Sequence, residues 1–256
     1  MADVGARAEG LDRIDDVTSA RRAAALTAAV AAFAQPVWLI ATLIVVGGYR
    51  NNHIPGVDDP AGEFVRFYAD NFSRIRVTST MFILGWVLML VVLVAVVRAA
   101  SPRLGLPGIL AVTLAGASTA ASVTAQGLFT FPTLVVDMTA RKIPENLDPG
   151  VARFLVMAGD SVPNAAGVLT GVALLLVAVV LARSDLWGHW VLAVTAGLFG
   201  AVAVVNMMLG GSGNGMIGMI PWGLLTGVIL LIARSRLGPT RHGRPRREPQ
   251  ARPDRA

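Results

Sequence analysis

Apolar runs of about twenty residues recur along this chain, each long enough to cross the hydrocarbon core of a bilayer. They fall at about 23–48, 77–97, 107–131, 154–181, 187–209 and 216–232. In water such segments would all have to be buried at once, and a chain of 256 residues with only 15% charged side chains lacks the polar surface to cover them. The mean hydropathy of +0.63 agrees. The pattern predicts an all-α membrane protein with six transmembrane helices, in the cell membrane, with no room for a soluble catalytic domain. It divides the chain into a polar N-terminal segment (1–22), a six-helix transmembrane domain (23–233) and a basic, disordered tail (234–256).

The net charge of +6 lies entirely in that tail, where eight arginines stand against Glu248 and Asp254. The tail has no aromatic residue to stack a base, so nucleic acid is not an expected partner. A short basic segment leaving a transmembrane helix instead marks the cytoplasmic side and adsorbs on anionic lipid headgroups. With six spans both termini share a side. Arg13, Arg21, Arg22, Arg98, Arg103, Arg183 and the tail fall on that side, and Arg50, Arg66, Arg74, Arg76, Arg141, Lys142 and Arg153 on the other; the tail and the first two flanking arginines tip the count, which predicts both termini in the cytoplasm. Trp187 and Trp190 fit an aromatic belt at the same interface.

Ser19 is a candidate cap for the first helix, and Pro36 interrupts that helix near its middle, so its backbone must bend or find other partners. Residues 49–76 contain a helix start at Asp59-Pro60, then Phe64, Val65, Tyr68, Phe72 and Ile75 at helical spacing, which predicts an amphipathic outer helix. Asp148-Pro149 repeats that start before span four.

Short matches suggest an internal repeat. Leu110–Thr113 and Leu192–Thr195 share the letters LAVT, and Gly167–Val172 and Gly223–Val228 share a Gly-x-x-Thr-Gly-Val pattern with leucine in one or both middle positions. Three tandem helical hairpins are the expected arrangement. Gly167 with Gly171, and Gly223 with Gly227, form Gly-x-x-x-Gly pairs suited to close helix packing.

Most membrane chemistry lacks its residues. The three histidines, His53, His189 and His242, lie in loops, at a helix end or in the tail, so no pair faces across the spans to hold haem. The single lysine, Lys142, is in a loop, there is no cysteine, and no His-Glu-x-x-His exists. Ser212 and His189 sit at opposite ends of one span, about 30 Å apart, too far for a catalytic dyad. No enzyme activity, metal or cofactor is expected. What remains is a set of polar residues inside the spans: Gln35 at mid-depth, and Gln126, Asp160, Asn164 and Asn206 in the outer part. Asp160 and Asn164 share a helix face, and Pro163 frees a carbonyl beside them. An ionisable residue in a span is a functional candidate, although polar residues also hold helices together.

The six spans, the Asp148-Pro149 start, the Gly159-Asp160 that follows and the Arg-rich composition resemble uncharacterised six-span integral membrane proteins of high-GC bacteria. The small-residue face of Ala24, Ala28 and Ala32 is also similar to the first helix of the membrane-embedded substrate-binding subunits of energy-coupling vitamin uptake systems. The expected function is small-solute binding or transport through an outer-facing polar pocket built on Gln126, Asp160, Asn164 and Asn206. The alternative is a non-catalytic structural or assembly subunit, with a membrane protein or a second copy as partner.

Overall fold

The computed structural model describes residues 2–46, 54–56, 58–101, 103–139, 148–209 and 219–237. Of these, 2–15, 43, 46, 132–139, 160–161, 163–164 and 219–220 are described by their backbone alone. Among them every regular element is a helix: α1 (Ala2–Val46), α2 (Ala61–Ala100), α3 (Leu106–Thr139), α4 (Pro149–Ala182), α5 (His189–Met208) and α6 (Met219–Arg236).

Five stretches are long and apolar enough to cross a membrane, at Asp16–Thr42, Ala61–Ala100, Leu106–Phe131, Ala165–Ala182 and His189–Met208. The protein thus has the build of a multi-pass membrane protein. The sixth apolar segment, α6, is the shortest helix at 18 residues, with Arg234 and Arg236 in its last turn.

The helices pack as a bundle. α1 lies against α2 and α6, α2 against α3 and α4 as well, and α4 between α3 and α5. α5 and α6 share few contacts, and α6 rests mainly on α1. The α5–α6 pair is therefore far looser than α1–α2 or α3–α4. Apolar side chains gain nothing from leaving lipid for other apolar side chains, so such helices associate through close packing of small residues. α1 does this with Ala25, Ala28, Ala29 and Ala32, all fully buried.

The outer amphipathic segment is not a separate helix. Residues 61–100 form one helix of 40 residues, about 60 Å long, because no proline occurs between Ala61 and Ala100 to break the ladder. The extension beyond the apolar window is held by its own core. Phe64, Phe67, Tyr68 and Ile75 are buried against Ala152, Val156 and Phe129 of α4 and α3. The Tyr68 hydroxyl donates to the Phe129 carbonyl at 2.8 Å, and the three aromatic rings lie 5.9–6.3 Å apart.

α4 starts where Asp148 accepts a hydrogen bond from the Val151 amide, with Pro149 in the first turn. Ser19, by contrast, is no cap. α1 begins at Ala2, and the Ser19 hydroxyl donates to the Asp16 carbonyl within the helix. Nothing in residues 2–22 breaks a helix strongly, so the polar segment continues the span beneath it. Likewise Arg234 and Arg236 belong to α6, and the tail from 238 onward lies outside the described residues.

The two ends of the bundle differ. The distal end carries the aromatic extension. At the basal end Arg21 of α1 donates to the Ala99 carbonyl of α2 and pairs with Asp185, in the α4–α5 turn. Arg22 donates to the Leu237 carbonyl after α6. Arg236 stacks 4.5 Å from the ring centre of Trp187. Gly188 makes this turn possible with φ 75°, and a Cβ there would lie 2.8 Å from Ile229.

Candidate functional site

The polar interior is built on α2, α3 and α4. Ser118 of α3 is fully buried, donates to the Ala166 carbonyl of α4 at 2.7 Å and lies 2.7 Å from the Thr170 hydroxyl. Ser122, one turn towards the distal end, is equally buried, and its hydroxyl has no partner among the described residues. On α2 the buried hydroxyls of Thr78 and Ser79 are also unpartnered among the described residues.

Register puts Ser79 level with Ser118 and one turn below Ser122. α2 and α3 run antiparallel and are pinned where Tyr68 meets Phe129, so eleven residues along each chain from that pin Ser79 comes level with Ser118. On the antiparallel α4, the step from Ser118 to Ser122 corresponds to the step from Ala166 back towards the turn 160–164.

That turn holds Asp160 and Asn164. Their backbone lies in α4, and their side chains lie outside the described residues. Gln126 is one turn beyond Ser122 on α3 and half-buried, and its carbonyl accepts from Thr130 at 2.6 Å. Asn206 is half-buried on α5, beside Met207, whose side chain abuts Gly167. α4 stands between α3 and α5, so Gln126 and Asn206 approach it from different sides.

The four glycines sit at helix crossings. A Cβ on Gly167 would lie 3.1 Å from the Met207 methyl, and one on Gly171 would lie 2.9 Å from the Gly200 carbonyl oxygen. On α6, a Cβ on Gly223 would lie 3.0 Å from the Ala32 carbonyl and 3.1 Å from Oε1 of Gln35. A Cβ on Gly227 would lie 2.9 Å from the Phe33 ring. Pro36 has no N–H to offer the Ala32 carbonyl, so the glycine backbone of α6 comes in where α1 has lost a helical hydrogen bond.

A second unpartnered set lies at this α1–α6 seam. Gln35 Oε1, the Trp222 indole N–H and the Thr226 hydroxyl are buried without a partner among the described residues. Sequence reasoning picked out Gln35 and passed over Ser79, Ser122, Trp222 and Thr226. A signal existed in the i, i+4 spacing of Ser118 with Ser122 and of Trp222 with Thr226. Spacing alone does not separate such residues from those whose hydroxyl returns to the i−4 carbonyl, as Thr42, Thr80, Thr119, Thr124, Thr130 and Thr195 do here.

Among the described residues no group of three or more His, Cys, Asp or Glu side chains could hold a metal ion. His53, Lys142, Ser212 and His242 lie outside the described residues. At the basal end, the hydrogen bond from Arg21 holds the Asp185 carboxyl below the ordinary aspartate range. No protein-family model matches the chain, and neither a curated protein nor a solved structure does.

Proposed function

We propose that this is a non-catalytic membrane protein of six spans, with both termini in the cytoplasm, that binds or transports a small, hydrogen-bonding solute through a pocket open to the outer face. Even-numbered crossing is supported by Arg22 and Leu237 meeting at one end of the bundle. Both ends carry arginines, and the +6 excess of residues 234–256 tips the balance to this end, which supports the cytoplasmic assignment. On this reading the distal end faces outward, α6 is the sixth span, and the tail beyond it rests on anionic headgroups.

One observation carries the solute reading: the hydroxyls of Ser79 and Ser122 are buried on neighbouring helices, about one helical turn apart in depth, with nothing described to bond them. A buried donor or acceptor left unsatisfied costs about 1–3 kcal/mol, and lipid offers no relief. A water-sized or larger polar guest would supply the missing bonds. Asp160 and Asn164, on the adjoining turn of α4, would add charge and an amide to that pocket, with Gln126 above it and Asn206 beside α4.

The test is mass spectrometry of a denaturing extract of the purified protein. A retained polar molecule, lost in Ser122→Ala and Asp160→Asn, supports the reading, and an empty extract with unchanged variants opposes it.

A second reading, an assembly subunit, is favoured by α5, whose apolar window is only 22% buried against 33–44% for the other four. Leu198 and Val202 are exposed on that helix. A stoichiometric partner or a second copy, crosslinked through these two positions, would select it.

A further inference from the structure

A groove between α1 and α2 is lined by Trp38 of α1 and by Phe72, Ser73, Arg76, Val77, Thr80, Met81 and Leu84 of α2, with a volume of about 460 Å³. Its wall is fixed. The Trp38 indole N–H donates to the Met81 carbonyl at 2.7 Å, and the ring lies where a Cβ on Gly85 would be 3.6 Å away.

The groove also has a polarity gradient. Arg66, Asp70, Arg74 and Arg76 mark α2 up to residue 76, and no charged residue follows from Val77 to Val97. The groove straddles that boundary, with Arg76 and Ser73 on the polar side and Val77, Met81 and Leu84 on the apolar side. From Arg76 to Leu84 is about 12 Å along the helix, the depth from a headgroup well into the acyl region.

The geometry points to a phospholipid site: one lipid of the distal leaflet, its phosphate on the Arg76 guanidinium and the Ser73 hydroxyl, and one acyl chain along Val77, Met81, Leu84 and the Trp38 ring. Guanidinium binds phosphate oxygens through paired N–H donors, so the charged end selects the phosphate. The apolar end selects the chain. Free phosphate satisfies only the first of these, and a detergent without phosphate only the second. The inference rests on the chain spanning the membrane and is independent of the solute pocket.

The experiment counts phospholipid bound to the full chain after extraction in a maltoside detergent, by native mass spectrometry. It compares the wild type with Arg76→Gln, Thr80→Trp, which fills the groove, and Arg74→Gln, an arginine outside it. The site predicts that the wild type and Arg74→Gln retain one phospholipid more than Arg76→Gln and Thr80→Trp. Adding phosphatidylglycerol in mixed micelles should raise the Tm of the delipidated wild type by several degrees and leave Arg76→Gln unmoved, while inorganic phosphate moves neither. Equal retention in all four proteins, or equal loss in both arginine variants, overturns the proposal. So does a Tm shift with inorganic phosphate alone. If Arg76→Gln fails to fold, Thr80→Trp against Arg74→Gln decides. A failure of the membrane reading itself would show separately, as release of the wild type from membranes by alkaline carbonate.

Discussion

Gly171 of α4 and Gly200 of α5 face each other backbone to backbone: a Cβ on Gly171 would lie 2.9 Å from the Gly200 carbonyl oxygen, and a Cβ on Gly200 would lie 2.7 Å from the Gly171 carbonyl oxygen. Neither helix has room for a methyl group at this crossing. Backbone cannot move aside as a flexible side chain does, so the helices must separate to admit one. Gly171→Ala should therefore cost about 1–3 kcal/mol, the usual penalty for overpacking. Thermal unfolding in detergent checks it. Gly116, with nothing within 4 Å of its Cβ position, is the control, and Gly116→Ala should be neutral or slightly stabilising.

The aromatic extension makes a second prediction. Tyr68→Phe removes the hydrogen bond to the Phe129 carbonyl and leaves the ring packing in place, so the loss should be about 0.5–1.5 kcal/mol. Phe64→Ala opens a cavity in the same cluster, where the side chain is fully buried, and should cost about 3–5 kcal/mol. Protease sensitivity at the distal end should rise in Phe64→Ala and stay near wild type in Tyr68→Phe.

The helical membrane class was legible in the sequence because hydropathy over twenty residues is decided by composition, and the start of α4 was legible because Asp148 before Pro149 has the letters of a cap; at Asp59-Pro60 the same pair marks the start of α2 without a side-chain cap bond. The continuity of α2 was not. The change from charged to uncharged sequence at Arg76 and Val77 looks like the end of one element, but helix propagation depends on the backbone ladder and not on hydropathy. Ser19 misled for a related reason: a serine before an apolar run has the letters of a cap, and only the helical backbone upstream shows that it is interior. The glycine pairs were visible as spacing, whereas Gly200, opposite Gly171, lies in no such pair. The buried hydroxyls of Ser79 and Ser122 were hidden because burial and pairing depend on which helix lies opposite, which a single chain read in order does not state.

A third prediction concerns acid. The Asp185 carboxyl is held below its ordinary value of 3.8 by Arg21, so its contribution to stability is complete above that value and is lost as pH falls through the lower folded-state value. The carboxylate is 74% exposed, and the pair is worth less than about 1 kcal/mol. Asp185→Asn should lower the Tm slightly at pH 7, and the difference from wild type should shrink once pH falls below 3.8 and through the lower folded-state value. High salt should shrink it as well.

A fourth prediction separates a filled pocket from an empty one at Ser122. Ser122→Ala removes an unpartnered buried hydroxyl, so in protein stripped of small molecules it should be neutral or stabilising by about 1 kcal/mol. If a solute bonds that hydroxyl, the same variant should lose the stabilisation that the solute-bearing extract gives the wild type. A variant equal to wild type in both conditions removes Ser122 from the site.

The most direct test of the proposed topology uses two positions on either side of the apolar stretch of α2. The chain has no cysteine, so Ser73→Cys and Ser101→Cys each introduce a single thiol, 28 residues and about 42 Å apart along one helix. With a membrane-impermeant thiol reagent on intact cells, this topology predicts labelling of Ser73→Cys at once and of Ser101→Cys only after permeabilisation. Labelling of Ser101→Cys in intact cells, with Ser73→Cys silent, would contradict it.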